Sequence, residues 1–492
     1  KTIHVGRPIQ YRLKHFGLPA NQLKFDLRSN EDSASASLPK EITVADYFAL
    51  KYKKLQYPHL PCIDARNGEE ERAQWLPMEA VQIVEWEHAM RPLDSVQQAL
   101  VAKKSIVKSD QRYYQIMDII HQRNWNSDRY LKALNIQVNT QEMLKIRARI
   151  LPPPQITYRK QNNQNVVEHV SLGKWKIRNQ FCSTPIINKW GMVYFGSKPD
   201  KNIIDILKKF EPHLPLLLQR YGIQINPNPK TIAKPDQRKD IDETFKNIKT
   251  DGWQLAIVIL NSTEPALRDH VKQLGNQKLG LVTQCASFQA IEINSEKLHM
   301  YVENLSQQIN TKIGGINGIV NLKTALSQIS NTDRFMFFGV DLKKRHNTRF
   351  FAYDGKQTSN IEAGTVIDVD ITHPSQFDFY LCSQAAIMGT SRPALYHVLH
   401  DENGFNSNDI QELTYWLCHI DARCSKSVSI PALVHYAHLA VYASVAYKFN
   451  DNDDETLEID DDESTSETIT LEDIKTKVMI LNNNIQDTMW FV

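Results

Sequence analysis

The sequence predicts a multidomain α/β protein, and three observations support this prediction. Its 492 residues are too many for one hydrophobic core, so we expect about two to four domains. Between Trp190 and Gly315, apolar strands alternate with helices, as in a parallel sheet with helical crossovers. A second α/β region begins at Arg334. All apolar runs are shorter than the ~20 residues that a bilayer requires, so no membrane span is expected.

The first part of the chain combines short strands with helices. Near the start, apolar segments separated by glycine and proline indicate strands. The segment "ITVADYFALKY" indicates the start of a helix with Thr43 as its N-cap. Residues 92–150 are predicted to be mostly helical, and the proline run at 151–155 ends that region. The alternating segment "GKWKIRNQFC" indicates an edge strand at 173–182.

The region from Trp190 to Gly315 predicts βαβ units. The fully apolar segment "WQLAIVIL" indicates a strand that is buried on both faces. Other strands are predicted at "GMVYFG" and "KLGLVTQC", and helices at "NIIDILKKFEPHLPLLLQRYG", "EPALRDHVKQLGNQ" and "SEKLHMYVENLSQQINTKIGG". Gly314 and Gly315 are expected to end the last of these helices.

The region from Arg334 onward opens with "FMFFGV", which indicates a buried strand. Further strands are predicted at "TRFFAYDG", "AGTVIDVDI" and "DFYLCSQ". Helices are predicted at "DIQELTYWLCHIDAR", at "PALVHYAHLAVYASVAYKF" and at the C-terminus, where the last helix ends in "DTMWFV".

Charge and cysteine content narrow the class of partner and compartment. The segment from Asp451 to Asp473 carries twelve acidic residues and no basic ones, and removing it changes the net charge from +2 to +14. A body of that charge suits a polyanionic partner, although a solvated surface with one acidic loop explains the charge equally well. The six cysteines are scattered and form no CxxC motif, which indicates a reducing compartment and no structural zinc.

Two lysines and a polar strand end form a candidate phosphate site. Gln284 and Cys285 are expected at the end of an apolar strand, where open α/β sheets bind ligands. Lys272 lies on the preceding predicted helix, and Lys312 lies just before the Gly-Gly pair. The lysines could neutralise a terminal phosphate while Gln284 and a backbone N–H donate to it. The alternative is a pair of surface lysines and an ordinary strand-end amide.

Carboxylates suitable for two-metal hydrolysis are few. Such chemistry needs several carboxylates that converge on the ions, and Asp341, at the end of the opening strand of this region, could supply one. Asp368 and Asp370 would share one face of a strand and, with His373, could bind a metal. The alternative is a strand-end turn in which these side chains satisfy backbone groups. His438 lies on an apolar helix face, which favours a packed core residue.

Aromatic and basic residues alternate in "DYFALKYKKLQYPHLPC". Tyr52, Tyr57 and His59 could stack on, or donate to, the end of a nucleic-acid strand. The alternative is that one or two of the tyrosines belong to the core.

Several long segments together resemble the Argonaute family. The segments "TVADYFALKYKKLQYPHLPCI" and "LPMEAVQIV" resemble the second half of a PAZ domain. The segment "RILPPPQITY" resembles the second linker, and "VKQLGNQKLGLVTQC" resembles the MID domain. Segments that include "FFGVD", "KKRHNTRFFAYD" and "RCSKSVSIPA" resemble the PIWI domain.

The resemblance implies the domain organisation. We expect an α/β multidomain fold with a partial PAZ β-barrel at residues 1–95 and an α-helical second linker region at 96–185. A Rossmann-like MID domain would follow at 186–330, and a shortened, ribonuclease-H-like PIWI domain at 331–492.

The resemblance also implies the roles of individual residues. The MID residues expected to bind the 5′ phosphate of a guide RNA are Lys272, Gln284, Cys285 and Lys312, with Arg268 in place of a tyrosine that stacks on the first base. A guanidinium plane can also stack on a base. The residues that match guide-backbone positions are Arg345, Arg349, Arg392, Arg423 and Ser429. The guide 3′ end is assigned to Tyr52, Tyr57 and His59.

The sequence departs from the family at sites that matter for activity. Asp341 matches the first catalytic aspartate and His438 the last catalytic histidine, but about a hundred residues that carry the other two members are absent, on the order of half a domain. Gln308 replaces a second pocket lysine, and Ala443 stands at or near the position of a PIWI arginine. Both replacements remove positive charge and should weaken phosphate binding.

The resemblance implies guide small-RNA binding in RNA-mediated silencing without target cleavage. The alternatives are an RNA-guided endoribonuclease and a truncated product without function. No cofactor or metal is expected, except Mg²⁺ if the endoribonuclease alternative holds. Expected partners are a small guide RNA, a complementary target RNA and silencing-complex proteins, with no membrane partner, in the cytoplasm.

Overall fold

The computed structural model describes most of the chain in two compact units, Lys1–Lys103 and Lys104–Val492. The described residues are 15–26, 41–65, 74–83, 93, 95–196, 201–234, 238–260, 265–293, 298–322, 326, 336–340, 347–386, 388–447 and 481–492. Within those residues, each helix is too short or too polar to cross a bilayer.

The first unit is built from short antiparallel strands and one helix. Its elements are β1 Phe16–Pro19, β2 Lys24–Asp26, β3 Glu41–Thr43, α1 Val44–Lys51, β4 Pro61–Asp64 and β5 Trp75–Pro77. The sheet order is β1-β4-β5, and β2 pairs with β3. The predicted N-cap is confirmed, because the Thr43 side chain accepts a hydrogen bond from the backbone N–H of Asp46 at 3.1 Å. Val44 and Phe48 of α1 pack into the core of this unit.

The linker region is mostly helical, as predicted, and ends in a small sheet. Its elements are α2 Ser95–Ser105, α3 Ser109–Arg123, α4 Arg129–Ala133, β6 Arg149–Ile150, β7 Gln155–Arg159 and β8 Asn165–His169. Strands β7 and β8 form an antiparallel hairpin. Strand β6 instead joins a sheet of the C-terminal region.

The prediction of an edge strand at residues 173–182 is wrong. This segment makes isolated bridges to several partners, because each backbone group bonds to a different part of the chain. The N–H of Trp175 donates to Ser425, that of Gln180 to Arg159 and that of Phe181 to Tyr221. The alternation that suggested a strand instead reflects the burial of every second side chain in a core that several elements share.

A four-stranded parallel sheet forms the centre of the second unit. The elements around it are β9 Ile186–Ile187, β10 Trp190–Phe195, α5 Lys201–Arg220, β11 Gln224–Ile225, β12 Lys230–Lys234, α6 Arg238–Thr250, β13 Leu255–Leu260, α7 Pro265–Lys272, β14 Val282–Ser287, α8 Phe288–Ile293 and α9 Leu298–Lys312. The sheet order is β12-β10-β13-β14, and all three pairings are parallel.

Both faces of this sheet are covered, as the apolar strands predicted. All six residues of β13 are buried. Odd-numbered positions of this strand, such as Ile257, pack into one core cluster, and even-numbered positions, such as Val258, pack into another. Helix α7 continues into a π-helical turn, Gln273–Leu279. Helix α9 ends at Lys312, and Gly314, which follows it with a φ of +89°, terminates the helix as the Gly-Gly pair predicted.

The C-terminal region contains a second, antiparallel sheet. Its elements are β15 Ile319–Val320, β16 Phe351–Tyr353, β17 Thr358–Asn360, β18 Thr365–Ile367, β19 Asp378–Cys382, β20 Ala394–His397, α10 Ser407–Leu417 and α11 Ala432–Ser444. The sheet order is β20-β19-β18-β6, so linker strand β6 closes one edge. Strand β15 adds to the β7–β8 hairpin, and β16 pairs with β17.

Two expectations for this region are wrong. Residues 336–340 of "FMFFGV" form no strand, and Met336 and Phe338 are 88% and 86% exposed. No described strand lies beside this segment to take up its apolar side chains. The predicted final helix does not extend over residues 481–492, which form turns, and residues 448–480 lie outside the described residues.

Candidate nucleic-acid interface

Two helices of the second unit each end in a lysine, and both lysines contact strand β14. The Nζ of Lys272, at the end of α7, donates to the carbonyl and hydroxyl oxygens of Thr283 at 2.9 and 3.1 Å. The Nζ of Lys312, at the end of α9, donates to Oε1 of Gln284 at 2.6 Å. Lys312 is only 4% exposed. The fold therefore brings together two cations that are forty residues apart in the chain.

Gln284 and Cys285 lie inside β14 rather than at its end. The strand continues to Ser287, because residues 282–287 pair in register with β13. The Gln284 amide is held from both sides, since Nε2 donates to Oε1 of Gln308 at 3.2 Å while Oε1 accepts from Lys312. Cys285 is half-buried next to it.

The electrostatic environment of these lysines is strongly positive. Burial lowers the pKa of Lys312 well below its usual value, and the positive charge of Lys272 adds to this, partly opposed by Cys285. Arg268 and Arg423 lower the pKa of Lys312 further. Burial also lowers the pKa of Lys272. The charged groups that shift the pKa values of the two lysines include no carboxylate, so an anion at this point would reduce the repulsion between the cations.

The inner side of this cluster is closed by the C-terminal segment. A cavity of about 10 Å³ lies beside Lys312 and Thr283, and its lining includes Ile485, Thr488 and Trp490. A space of that size holds about one water molecule. Arg268 is exposed on α7 one turn before Lys272 and is not part of the lining of this cavity.

Arg423 is positioned by a loop that is anchored to helix α11. Asp421, whose side chain is 1% exposed, accepts the backbone N–H of Arg423 at 2.8 Å and lies 2.5 Å from Nδ1 of His435. The Tyr436 hydroxyl accepts the N–H of Ala422 at 2.7 Å. The sequence reasoning missed Asp421 and His435, because nothing in their spacing shows that a loop and a helix meet there.

The other residues predicted to follow the guide backbone lie on the same unit, apart from one. Arg345 lies outside the described residues. Arg349 precedes β16 and is half-buried, whereas Arg392 and Ser429 are exposed. Burial, followed by the positive charges of Arg392 and Arg112, lowers the pKa of Arg349. Arg112 comes from linker helix α3 and had no sequence signal that linked it to this site.

The aromatic residues predicted to hold a strand end lie on the first unit. Tyr52 and Tyr57 are 51% and 54% exposed, so neither belongs to the core. The rings of Tyr57 and His59 meet edge to face at 6.2 Å. The carboxylate of Glu79 holds the loop that carries them, because it accepts the backbone N–H groups of Gln56 and Tyr57 at 3.0 and 2.6 Å.

The candidate catalytic carboxylates do not assemble into a metal site in the described part of the chain. Asp341 lies outside the described residues, and His438 is half-buried in α11. Asp368 pairs with Arg149 at 2.8 Å and accepts from Gln411 at 3.0 Å, so it ties the linker to α10. Asp370 occupies a left-handed turn with a φ of +67°. Asp368 thus contacts side chains rather than the backbone groups of the turn alternative, and the described residues contain no group of three or more potential metal ligands.

Family models match three parts of the chain. A PAZ domain model matches residues 15–102, an Argonaute linker 2 domain model matches 111–158, and a Piwi domain model matches 255–343 and 321–448. The two Piwi stretches meet at residues 321–343, which include the junction at Asp341 where the sequence predicted a missing segment.

Solved structures share the fold at low sequence identity. Kluyveromyces polysporus Argonaute with a guide RNA matches with a TM-score of 0.67 and 16% identity over 97% of this chain and 67% of that one. Drosophila Piwi matches with a TM-score of 0.56 and 13% identity over 100% and 73%. Clostridium butyricum Argonaute, bound to a guide DNA and a target DNA, matches with a TM-score of 0.52 and 13% identity over 82% and 68%. The chain thus spans about two thirds to three quarters of the length of these proteins.

Proposed function

The chain belongs to the Argonaute family, and from this premise we propose that it binds a small guide RNA by the RNA's 5′ phosphate and acts in RNA-mediated silencing without cutting the target. The K. polysporus relative was solved with a guide RNA, which supports RNA as the class of ligand. The shortened PIWI region supports binding rather than cleavage.

The cationic cluster of Lys272, Lys312, Arg268 and Arg423 is the observation that supports this proposal. Lys272 and Lys312 are buried like charges that repel each other, which destabilises the free protein, so their grouping supports a site that an anion completes. A terminal phosphate fits this requirement better than an internal phosphodiester, since it carries more charge at one point.

Each member of the pocket has a separate proposed role. Lys272 and Lys312 neutralise the phosphate, and their bonds to Thr283 and Gln284 hold both ammonium groups in place before RNA arrives. Arg268 is exposed at the entrance, where its guanidinium plane can stack on the first base. Gln308 supplies a neutral amide at a position where a further cation would bind the phosphate more strongly.

The rest of the chain would hold the remainder of the guide. We assign residues 1–95 to a partial PAZ domain that binds the 3′ end through Tyr52, Tyr57 and His59. Residues 96–185 form the second linker, 186–330 the MID domain and 331–492 the PIWI domain. A complementary target RNA, silencing-complex proteins and a cytoplasmic location are further parts of the proposal.

Binding measurements with two forms of one short RNA test the proposal. The 5′-phosphorylated RNA should bind more tightly than the 5′-hydroxyl RNA, and Lys312→Ala or Lys272→Ala should each weaken binding of the phosphorylated form by about 1–3 kcal/mol. The 5′-hydroxyl RNA should respond little to either substitution. Equal affinity of the unmodified protein for both RNAs would show that the pocket does not recognise the phosphate.

A further inference from the structure

The segment that follows β8 exposes three basic side chains on one side. Lys174, Lys176 and Arg178 are exposed, whereas Trp175 and Ile177, which alternate with them, are buried and pack into a core cluster. Successive side chains of an extended segment point to opposite sides, so the two buried residues fix the direction of the three cations. Every outward position of this short stretch therefore carries a positive charge.

A fourth cation comes from the loop that precedes helix α11. Lys426 is exposed, and its backbone pairs with that of Lys174 in an antiparallel bridge. The N–H of Trp175 also donates to the carbonyl of Ser425 at 3.2 Å, which fastens the two segments together. Residues directly opposite each other in an antiparallel pair project to the same side, so Lys426 lies beside Lys174. The basic strip is the name used below for Lys174, Lys176, Arg178 and Lys426.

No ion pair neutralises the basic strip in the described part of the chain. The sequence has no acidic residue at 169–199 or at 422–450. Of the two carboxylates that border these ranges, Glu168 accepts a hydrogen bond from Nδ2 of Asn179 at 2.6 Å, and Asp421 is buried. The strip is thus an uncompensated run of positive charge, which attracts polyanions.

The basic strip is connected to the proposed phosphate pocket by one loop. Arg423 lies three residues before Lys426 in that loop, and its positive charge contributes to the lowered pKa of Lys312. Nδ2 of Asn317, which follows α9, donates to the carbonyl of Ala422 at 3.1 Å and so holds the start of the loop against the MID region. The strip therefore begins next to the place where the guide 5′ end is proposed to bind.

We propose that the basic strip binds the unpaired part of a target RNA that continues beyond the nucleotide opposite the guide 5′ end. The inference rests on the proposed function. The two strands of a duplex are antiparallel, so the part of the target that passes the guide 5′ end lies on the 3′ side of the paired region. A strip that begins beside the 5′-phosphate pocket is placed to receive this 3′ flank.

The chemistry of the strip suits the backbone of a single strand. Lysine and arginine side chains contact phosphates without distinguishing the bases, so the strip should accept flanks of any sequence. Trp175, the aromatic residue within the strip, is buried and is not available to stack on a base. Each phosphate contact releases counterions, so the contribution of the flank to affinity should fall as salt increases.

The test is the affinity of the RNA-loaded full chain for three target RNAs that pair with the same guide. The flush target ends opposite the guide 5′ end, and the other two carry about ten further nucleotides on the 3′ side or on the 5′ side. At low salt the unmodified protein should bind the 3′-extended target on the order of tenfold more tightly than the flush target.

The combined variant Lys174→Gln, Lys176→Gln and Arg178→Gln should lose this gain. For the 3′-extended target, its slope of log affinity against log salt should be shallower by about 2, as expected for three lost phosphate contacts with a single strand. Its affinity for the flush and 5′-extended targets and its preference for a 5′-phosphorylated guide should not change. The combined variant Lys174→Arg, Lys176→Arg and Arg178→Lys retains the charges and should retain the gain.

The combined variant Lys208→Gln, Lys209→Gln and Lys246→Gln is the matched control. It removes the same number of charges from exposed positions on α5 and α6 and should leave the gain unchanged. All six positions are exposed, so the thermal unfolding midpoints of the variants should equal that of the unmodified protein.

The outcomes separate this inference from the proposed function. Equal affinity of the unmodified protein for the flush and 3′-extended targets would overturn the inference and favour the acidic residues 451–473 as the occupant of the strip. A gain that survives in the first variant, or a loss of affinity for all three targets alike, would also overturn it. A 3′ gain that the first variant removes, without any preference for a guide 5′ phosphate, would support the strip and contradict recognition of the 5′ end. Absence of guide binding by the unmodified protein would overturn both.

Discussion

Lys312 is a buried cation whose electrostatic surroundings are unfavourable until a ligand binds. Its pKa is lowered by burial and by Lys272, so the unfolded chain holds this proton more firmly than the folded chain does. At neutral pH the charged side chain therefore destabilises the RNA-free protein. We expect Lys312→Met to raise the unfolding free energy by on the order of 1 kcal/mol and to abolish the preference for a 5′ phosphate.

Urea unfolding without RNA measures the first effect, and RNA binding measures the second. Lys246→Met is the control, because Lys246 is exposed on α6 and its removal should change neither quantity. If Lys312→Met is less stable than the unmodified protein, the hydrogen bond to Gln284 contributes more than the burial of the charge costs.

His419 makes the second unit sensitive to acid. It is 2% exposed, its Nδ1 lies 2.9 Å from the carbonyl of Tyr415, and burial lowers its pKa from 6.5 to about 4. Above pH 6.5 the ring is neutral in both the folded and unfolded states and has no effect on the pH dependence. Below pH 6.5 only the unfolded chain takes up the proton, so stability falls until about pH 4.

At pH 5 this single group should lower the unfolding free energy by about 2 kcal/mol relative to pH 7.5. His419→Gln should be less stable than the unmodified protein at pH 7.5, since it loses ring contacts to Tyr415 and Trp175. Between pH 7.5 and pH 5, its unfolding free energy should nevertheless fall by about 2 kcal/mol less than that of the unmodified protein. Equal losses in both proteins would show that His419 is protonated without unfolding.

Residues 336–340 have an apolar sequence that predicts burial, but most of their side chains are exposed. Phe337 packs against the third hydrophobic core, but Met336, Phe338 and Val340 point away from it and are largely exposed. Extended apolar segments without a neighbouring strand favour association between chains. The residues that the resemblance predicts to be missing would follow this segment directly.

Phe338→Asn should reduce aggregation at high protein concentration and change the unfolding free energy by less than about 0.5 kcal/mol, because the side chain is 86% exposed. Phe337→Asn is the matched comparison and should destabilise the protein by about 2–4 kcal/mol, since it removes a core contact. Light scattering and urea unfolding distinguish the two. Equal stability losses would mean that Phe338 is covered in solution.

The same pair of variants bears on whether the shortened chain forms a working protein. A cooperative unfolding transition that Phe337→Asn shifts and Phe338→Asn does not would show a packed C-terminal region. A non-cooperative transition in all three proteins would favour the alternative of a truncated product without function.

For the whole molecule, the proposed function is binding without cleavage. Two-metal hydrolysis needs several converging carboxylates, and the described part of the chain contains no group of three or more potential metal ligands. We expect the RNA-loaded protein with Mg²⁺ to leave a fully paired target RNA intact. Cleavage opposite the middle of the guide that is lost in Asp341→Ala would contradict this, and Asp368→Asn would then show whether a substitute ligand takes part.

The local sequence pattern was sufficient to predict features that depend on a few adjacent residues. The Thr43 cap, the buried strand β13 and the glycine end of α9 were all predicted, because capping, burial on both faces and a left-handed φ each depend on a few adjacent residues. The sequence also singled out Lys272 and Lys312 together, and the structure places both against β14.

Tertiary structure alone decided which distant segments meet. Strand β6, which belongs to the linker, pairs with β18 in the C-terminal sheet. Asp421 contacts His435, which lies on helix α11. The charge of Arg112 lowers the pKa of Arg349, although more than two hundred residues of chain separate them. The sequence by itself determined the family, the parallel sheet and the choice of Lys272 and Lys312 as candidate phosphate ligands. It did not determine the effect of Arg112 on Arg349 or the exposure of residues 336–340, because charge repulsion and burial depend on distances in space that no spacing along the chain encodes.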